Sequence, residues 1–598
     1  MLGSLSKFER KSDMHSTARK SANFICVVLL VLSVLAAAVK CFTGFDIDEG
    51  YAVSMPYRLL QGDHMFLDMW EVHQTSSFLP ALFLSLFYKI TGGMNGSVLY
   101  LRAIATLLHA AVSLAVFRSL RKNADTAWAV LLALLYFNLL PKWLISLDFS
   151  MQKVWGMTLL LLVLEQEVKT GKRGYAFLMG VVLAMTVLAY PGMVLAYPAL
   201  GVSIWMLHRD KKVKERFNKI AIMTLGCAVM AVLFLGYVLS AMGISDFIES
   251  IPMVFMDGTH QFTVETKLML YAAQWLNVGK QLLILCVPGA VITTVIYVAV
   301  KRKYADAAWF AKETRKKMMS VLFILMFLSV TSVLVIFANA VGIAMGPFHF
   351  QVRYLLYFIF VFVLCISELR KHGKAQVRFL FWGPMFQMII AFVAILIFSN
   401  VGPDSSSSYL GIGLVAGGWL LYKITSGIDE KWEKMTYMVL ALFVLSLVFC
   451  KGYYVRITEY GPSNIWEKRM QVQEGPLAGI YVTEEDYVRI TDDYETIHRM
   501  THGKEKLLYL GTEGISNLYA RCEFVSPSTI STPAFNEQWV TYFEKYPEKE
   551  PDVIALAKNT IDNREKFFAE NPLGIWIAQR YDVSAMTETD SLCMINKK

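Results

Sequence analysis

Charge is scarce in this chain: Asp, Glu, Lys and Arg supply 18% of its 598 residues, against roughly 25% in ordinary soluble domains. A water-soluble globule of this size would lack polar surface, so that class is excluded. Cysteine is sparse as well, with 8 residues in the whole chain, which excludes a disulfide scaffold. The composition also excludes a disordered or a collagen-like chain. What is abundant is apolar: 56% of residues are hydrophobic and 13% aromatic, with a mean hydropathy of +0.46. These residues gather into runs long enough to cross a bilayer, and the chain reads as an α-helical polytopic membrane protein.

The net charge of +9 hides an asymmetry. From Tyr454 to the end there are 23 acidic and 16 basic residues, whereas the rest holds 25 acidic and 41 basic. The basic excess therefore belongs to the membrane part, where Lys and Arg between spans mark the cytoplasmic side. Nucleic acid is not the partner this charge implies. Lys7, Arg10, Lys11, Arg19 and Lys20 precede the apolar run from Phe24 to Val39, so the N-terminus is expected in the cytoplasm. Lys40 before Cys41 fits no lipoprotein signal, and the first span reads as uncleaved.

The run from Ser77 to Ile90 has 14 residues, too few for the roughly 20 that about 30 Å of hydrocarbon requires. It reads as re-entrant or interfacial. With it held outside, the basic loops 169–173, 208–219, 301–317, 370–378 and 423–434 all fall in the cytoplasm. Spans are expected near 24–43, 98–117, 126–143, 150–168, 174–190, 192–207, 219–241, 280–300, 318–340, 353–369, 379–399, 409–424 and 435–453. That makes 13, an odd number, which places the tail outside the cytoplasmic membrane. The expected organisation is a cytoplasmic segment (1–23), a transmembrane domain (24–453) with a first outside loop (44–97), and a small extracytoplasmic α/β domain (454–598). The tail pattern predicts helices at 484–500 and 514–522 and strands at 507–510 and 552–555. Cys522 and Cys593, its only cysteines, would share an oxidising compartment, where a disulfide between them is open.

Chemistry is expected on the outside face. Its first loop holds Asp46, Asp48, Glu49, Asp63, His64, Asp68, Glu71 and His73, a dense set for so apolar a chain. Part of this is helix punctuation: Asp46 reads as an N-cap with Glu49 three residues on, and Gly62 as the stop. A second polar segment is Asp148-Phe149-Ser150-Met151-Gln152-Lys153. A third, Gly346 to Tyr354, carries His349 and Arg353, and an outside Arg is the less common orientation.

The segments Phe45-Asp46-Ile47-Asp48-Glu49-Gly50-Tyr51, Arg58-Leu59-Leu60-Gln61-Gly62-Asp63 and His73-Gln74 together resemble the first outside loop of type C glycosyltransferases of the protein O-mannosyltransferase and aminoarabinose-transferase kind. Asp48-Glu49 stands where that family has its Asp-Glu pair, Asp148 resembles its second outside acid, and Arg353-Tyr354-Leu355-Leu356 resembles its Arg-Tyr-Leu-Leu run. The aminoarabinose-transferase branch likewise has 13 spans and an outside C-terminal domain. The chain departs from the family at His73-Gln74-Thr75-Ser76, where many members have two prolines after a His or Lys.

The resemblance implies transfer of a sugar from a polyprenyl-phosphate donor to an acceptor hydroxyl on the outside face, with inversion. Asp48 would act as general base, with Glu49 and Asp148 orienting it or holding the acceptor. Arg353, assisted by Lys153 or His349, would grip the donor phosphate, and His73 and Glu71 fall on the acceptor side. No cofactor is required; a divalent metal at Asp48, Glu49 and Asp148 is permitted. The implied partners are the polyprenyl-phosphate sugar, a protein, lipid or cell-envelope polymer acceptor, and membrane lipids. A transporter or flippase is the competing class, but it would show broken helices and repeated halves, and neither is evident. A membrane-anchored binding protein would leave the first-loop acids unexplained.

Overall fold

The computed structural model describes residues 16–142, 144–255, 264–303, 312–340, 347–372, 374–399, 402–426, 430–458, 461–529, 536–561 and 563–598. The membrane part comprises α1 (Ser16–Phe42), α2 (Ile47–Gln61), α3 (Phe78–Thr91), α4 (Ser97–Arg121), α5 (Thr126–Asn138), α6 (Phe149–Thr170), α7 (Arg173–Ala189), α8 (Ala196–Leu207), α9 (Val213–Leu239), α10 (Ile244–Phe255), α11 (Val264–Lys303), α12 (Lys312–Ala340), α13 (Pro347–His372), α14 (Ala375–Leu380), α15 (Phe386–Phe398), α16 (Pro403–Ser406), α17 (Gly411–Ser426) and α18 (Glu430–Tyr453). Helices α14 and α15 are joined by a π-turn at Phe381–Met385 that contains Pro384, whose missing N–H loosens the helical ladder.

Among the described residues, six helical stretches are long and apolar enough to cross a membrane: Ala22–Phe42, Ser97–Arg121, Val213–Leu239, Glu265–Ile296, Ala375–Phe398 and Trp432–Cys450. Shorter apolar helices at Thr126–Asn138, Arg173–Ala189, Pro191–Leu207 and Phe323–Leu334 pack with them. Val27, Val31 and Val34 on α1 and Val232 and Leu233 on α9 are exposed, which suits lipid contact. Small residues allow the closest helix approach: a Cβ on Gly226 of α9 would strike the Phe177 carbonyl oxygen of α7. In hydrocarbon, such close packing replaces the hydrophobic drive between helices.

One end of the bundle is rich in charge. There Glu167 at the end of α6 accepts from His208 (2.6 Å) and Lys219, and so ties together α6, α9 and the α8–α9 connection. The other end carries α2, α3 and the tail.

The tail contains β1 (Tyr454–Thr458), β2 (Gly461–Asn464), β3 (Met470–Gln471), β4 (Tyr481–Val482), α19 (Glu484–Met500), β5 (Lys506–Leu510), β6 (Glu523–Phe524), α20 (Asn536–Lys545), β7 (Val553–Ala557), α21 (Arg564–Glu570), α22 (Pro572–Arg580), β8 (Thr587–Glu588) and β9 (Leu592–Asn596). The main sheet has the order β6-β5-β7-β9-β8. Strand β5 pairs in parallel with β6 and β7, while β9 is antiparallel to both of its neighbours. Alternation builds two cores. Leu507, Tyr509 and Val553 pack with Ile490 and Ile497 of α19 on one face, and Leu508, Leu510 and Ile554 pack with Trp539, Tyr542 and Trp576 on the other. The expected helix at 514–522 is a short 3₁₀ helix, Gly514–Tyr519. Cys522 and Cys593 are both free thiols. Cys522 precedes β6 and Cys593 lies on β9, three strand steps away, or about 14 Å. That is well beyond the roughly 7 Å that a disulfide spans.

Candidate active site

The site is built where the first loop meets the start of α6. Asp46 has extended backbone and caps α2, accepting from the Asp48 N–H at 3.0 Å. Gly62, with φ 99°, closes the same helix, a left-handed conformation that glycine adopts without steric penalty. Asp148 caps α6 in turn, accepting from the Met151 N–H (2.8 Å) through Oδ1 and from the Ser146 hydroxyl (2.9 Å) through Oδ2. Between these acids stands Lys142, whose Nζ donates to Asp48 Oδ2 at 2.6 Å and Asp148 Oδ2 at 2.8 Å. The Asp148 side chain is wholly enclosed, whereas that of Asp48 is 36% exposed.

The residue after Asp148 links this triad to a second cluster. The Phe149 ring lies under the Lys142 ammonium at 5.2 Å and stacks on His73 with ring centroids 3.9 Å apart. His73 also stacks on Tyr190 at 5.3 Å. One turn along α6, the Lys153 ammonium sits 3.8 Å from the Tyr190 ring centroid and 4.0 Å from that of Tyr409, a cation–π box. Lys153 and Tyr409 also line a cavity with Tyr136, Leu139, Met157 and Ile412.

Glu49 faces elsewhere. Its carboxylate takes two bonds of 2.6 Å from Arg102 of α4, and the same guanidinium donates to the carbonyls of Cys41 (3.0 Å) and Gly44 (2.7 Å). This buried fork fixes the turn that leads into α2. Among the described residues, no three His, Cys, Asp or Glu side chains come together as a metal-binding set. The trio Asp48, Glu49 and Asp148 fits a metal poorly, because Arg102 holds the second acid and Lys142 stands between the other two.

The tail fastens the remainder of the loop. Arg58 pairs with Asp63 at 2.6 Å and donates to the Asp68 carbonyl at 2.9 Å and to the Ser526 carbonyl. The Trp70 N–H donates to the Pro527 carbonyl at 2.9 Å, and the Thr529 N–H donates to Glu71. Burial pushes the Glu71 carboxyl up, partly offset by that donor. Burial would raise Asp63 too, but Arg58 and then Lys549 outweigh it and hold its carboxyl below the usual range.

No family model matches the chain, and no curated protein does. Among solved structures it is similar to ArnT from Cupriavidus metallidurans bound to undecaprenyl phosphate, with a TM-score of 0.50 and 12% identity over 96% of this chain and 97% of that one. The fold is that of the type C glycosyltransferases. The archaeal oligosaccharyltransferase AglB from Archaeoglobus fulgidus, in complex with an inhibitory peptide and a dolichol-phosphate, also matches, with a TM-score of 0.43 and 10% identity over 95% of this chain and 74% of that one.

Of the residues singled out in the sequence, the type C fold brings Asp48, Asp148, Lys153 and His73 together around Phe149. It sets Glu49 on Arg102 and Glu71 against the tail. The side chains of His349 and Arg353 lie outside the described residues. The backbone register is informative, however. Gly413 lies against Phe358 and Gly417 against Val361, so α13 and α17 run in the same direction. The 3₁₀ turn Ser407–Leu410, which carries Tyr409, also packs on α13. Lys142, Arg102 and the Tyr190–Tyr409 box are additional to the sequence reading. Lys142 falls inside the expected span 126–143, yet α5 ends at Asn138. Pro141 is the signal that releases Lys142 from the helix.

Proposed function

We propose that the chain is a membrane glycosyltransferase that moves a sugar from a polyprenyl-phosphate donor to an acceptor hydroxyl on the tail-facing side of a cytoplasmic membrane. The observation that carries this reading is Asp48: a part-exposed carboxylate fixed by an ammonium, beside a boxed cation, in a type C fold. Asp48 takes the proton of the acceptor hydroxyl as its oxygen bonds to the anomeric carbon. The bond from that carbon to the phosphate oxygen breaks, and the electron pair leaves with the polyprenyl phosphate. Attack from the face opposite the leaving group inverts the centre. Lys153 and Arg353, with His349 close to Arg353 in sequence, stabilise the charge that grows on the phosphate. Asp148 orients Asp48 through Lys142, and His73 and Glu71 shape the acceptor side. Undecaprenyl phosphate bound to ArnT supports a polyprenyl carrier. The acceptor class is a protein, lipid or cell-envelope polymer.

The test is to incubate purified protein with a panel of polyprenyl-phosphate sugars and acceptors and to measure release of free polyprenyl phosphate. Release is expected with at least one donor, and Asp48→Asn should lower it by about 10²- to 10⁴-fold, the usual effect of removing a general base. Full turnover in Asp48→Asn together with an inactive Asp46→Asn would reject the assignment.

A further inference from the structure

Two carboxylates close enough to share one partner repel each other, and without a cation one of them takes up a proton. A protonated Asp48 would be unable to accept another. Sites of this kind commonly recruit a divalent cation to oxygen ligands. Here the chain supplies the cation itself: Lys142 Nζ lies 2.6 Å from Asp48 and 2.8 Å from Asp148, on the segment between α5 and α6. Its head is held over the Phe149 face. The third acid that a metal would draw on, Glu49, is taken by Arg102.

We infer that Lys142 is a positioning residue that occupies the place of a divalent metal between Asp48 and Asp148, making this site metal-independent. It places a fixed positive charge between the two acids without a diffusible ion. The inference deepens the transferase reading, but its decisive test does not depend on that reading.

Mn²⁺, a cation suited to carboxylate ligands, is the probe, titrated into the full-length protein after chelation and followed by electron paramagnetic resonance. The wild type should bind no stoichiometric Mn²⁺ that Asp48→Asn or Asp148→Asn removes. Lys142→Met uncovers the two carboxylates and should gain one Mn²⁺ with affinity at least about tenfold above wild type, since charge neutralisation drives the binding. Lys142→Arg, which retains the cation, should not gain it. A wild-type Mn²⁺ site abolished by Asp148→Asn would overturn the inference, as would a folded Lys142→Met protein that takes up none. If Lys142→Met fails to fold, the wild-type and Asp148→Asn titrations still decide. Where the transfer assay works, wild-type turnover should be unchanged by EDTA, and loss of turnover restored by Mn²⁺ would equally overturn it.

Discussion

At the level of single residues, neighbouring acids carry different burdens. Asp48 and Glu49 are adjacent in sequence, yet one is part-exposed beside Lys142 and the other is locked in a buried fork with Arg102. Removing one partner of a buried pair strands the other charge and typically costs about 3–5 kcal/mol. Glu49→Gln should therefore lower the melting temperature or abolish expression, whereas Asp48→Asn should melt like wild type; thermal melts in detergent distinguish them. Asp493 of α19 makes a second, pH-dependent case. Burial pushes its carboxyl up to about 7, against the hydrogen bond from Ser591 and the charge of Arg489. An unfolded Asp titrates near about 3.9, so between these values the folded state binds the proton more tightly. The stability this lends is complete below the unfolded value and is lost as the pH rises through about 7. Asp493→Asn cannot ionise and keeps an acceptor for Ser591, so its gain in melting temperature should be absent near pH 4, grow with pH and level off above pH 7. A gain independent of pH would rule out this titration as the cause. The Asp-Glu pair was plain in the sequence, but the division of labour was not, because Arg102 sits within an apolar span and Lys142 beyond a helix end that the apolar residues Leu139 and Leu140 conceal.

Among the elements, the caps were readable and the packing partners were not. Asp46 and Gly62 bound α2 as their residue types predict, and α19 runs from Glu484 to Met500 as its pattern implies. Which helices touch depends on shape. Gly226 and Gly236 lie on the same helix, but a Cβ on the first would strike the Phe177 carbonyl, while on the second it would meet nothing within 4 Å. Gly236→Ala should hold or raise stability, by up to about 1 kcal/mol of helix propensity. Gly226→Ala should lower it by about 1–3 kcal/mol through overpacking against rigid backbone. Equal melting temperatures for the two variants would mean that α7 and α9 do not meet at this point.

For the whole molecule, the tail and the first loop form one layer, joined by the Lys549–Asp63 pair at 2.6 Å and by contacts that the sequence conceals because tail backbone groups make them: the Ser526 and Pro527 carbonyls and the Thr529 N–H receive or reach Arg58, Trp70 and Glu71. Backbone contacts leave no trace in residue type. They do require loop 44–97 and the tail to share a side of the membrane, since Arg58 is fully enclosed by both. We propose that the charged end around Glu167, His208 and Lys219 faces the other compartment, the cytoplasm by the positive-inside rule. Single cysteines introduced into a cysteine-free protein test this directly in intact cells. Positions Asn95 and Ser584, exposed in the first loop and the tail, should react with a membrane-impermeant maleimide, while Lys172 and Lys212, exposed at the charged end, should react only after lysis. Reaction at Lys172 in intact cells would reverse the orientation, and reaction at Ser584 without Asn95 would separate the tail from the loop that it is bonded to here.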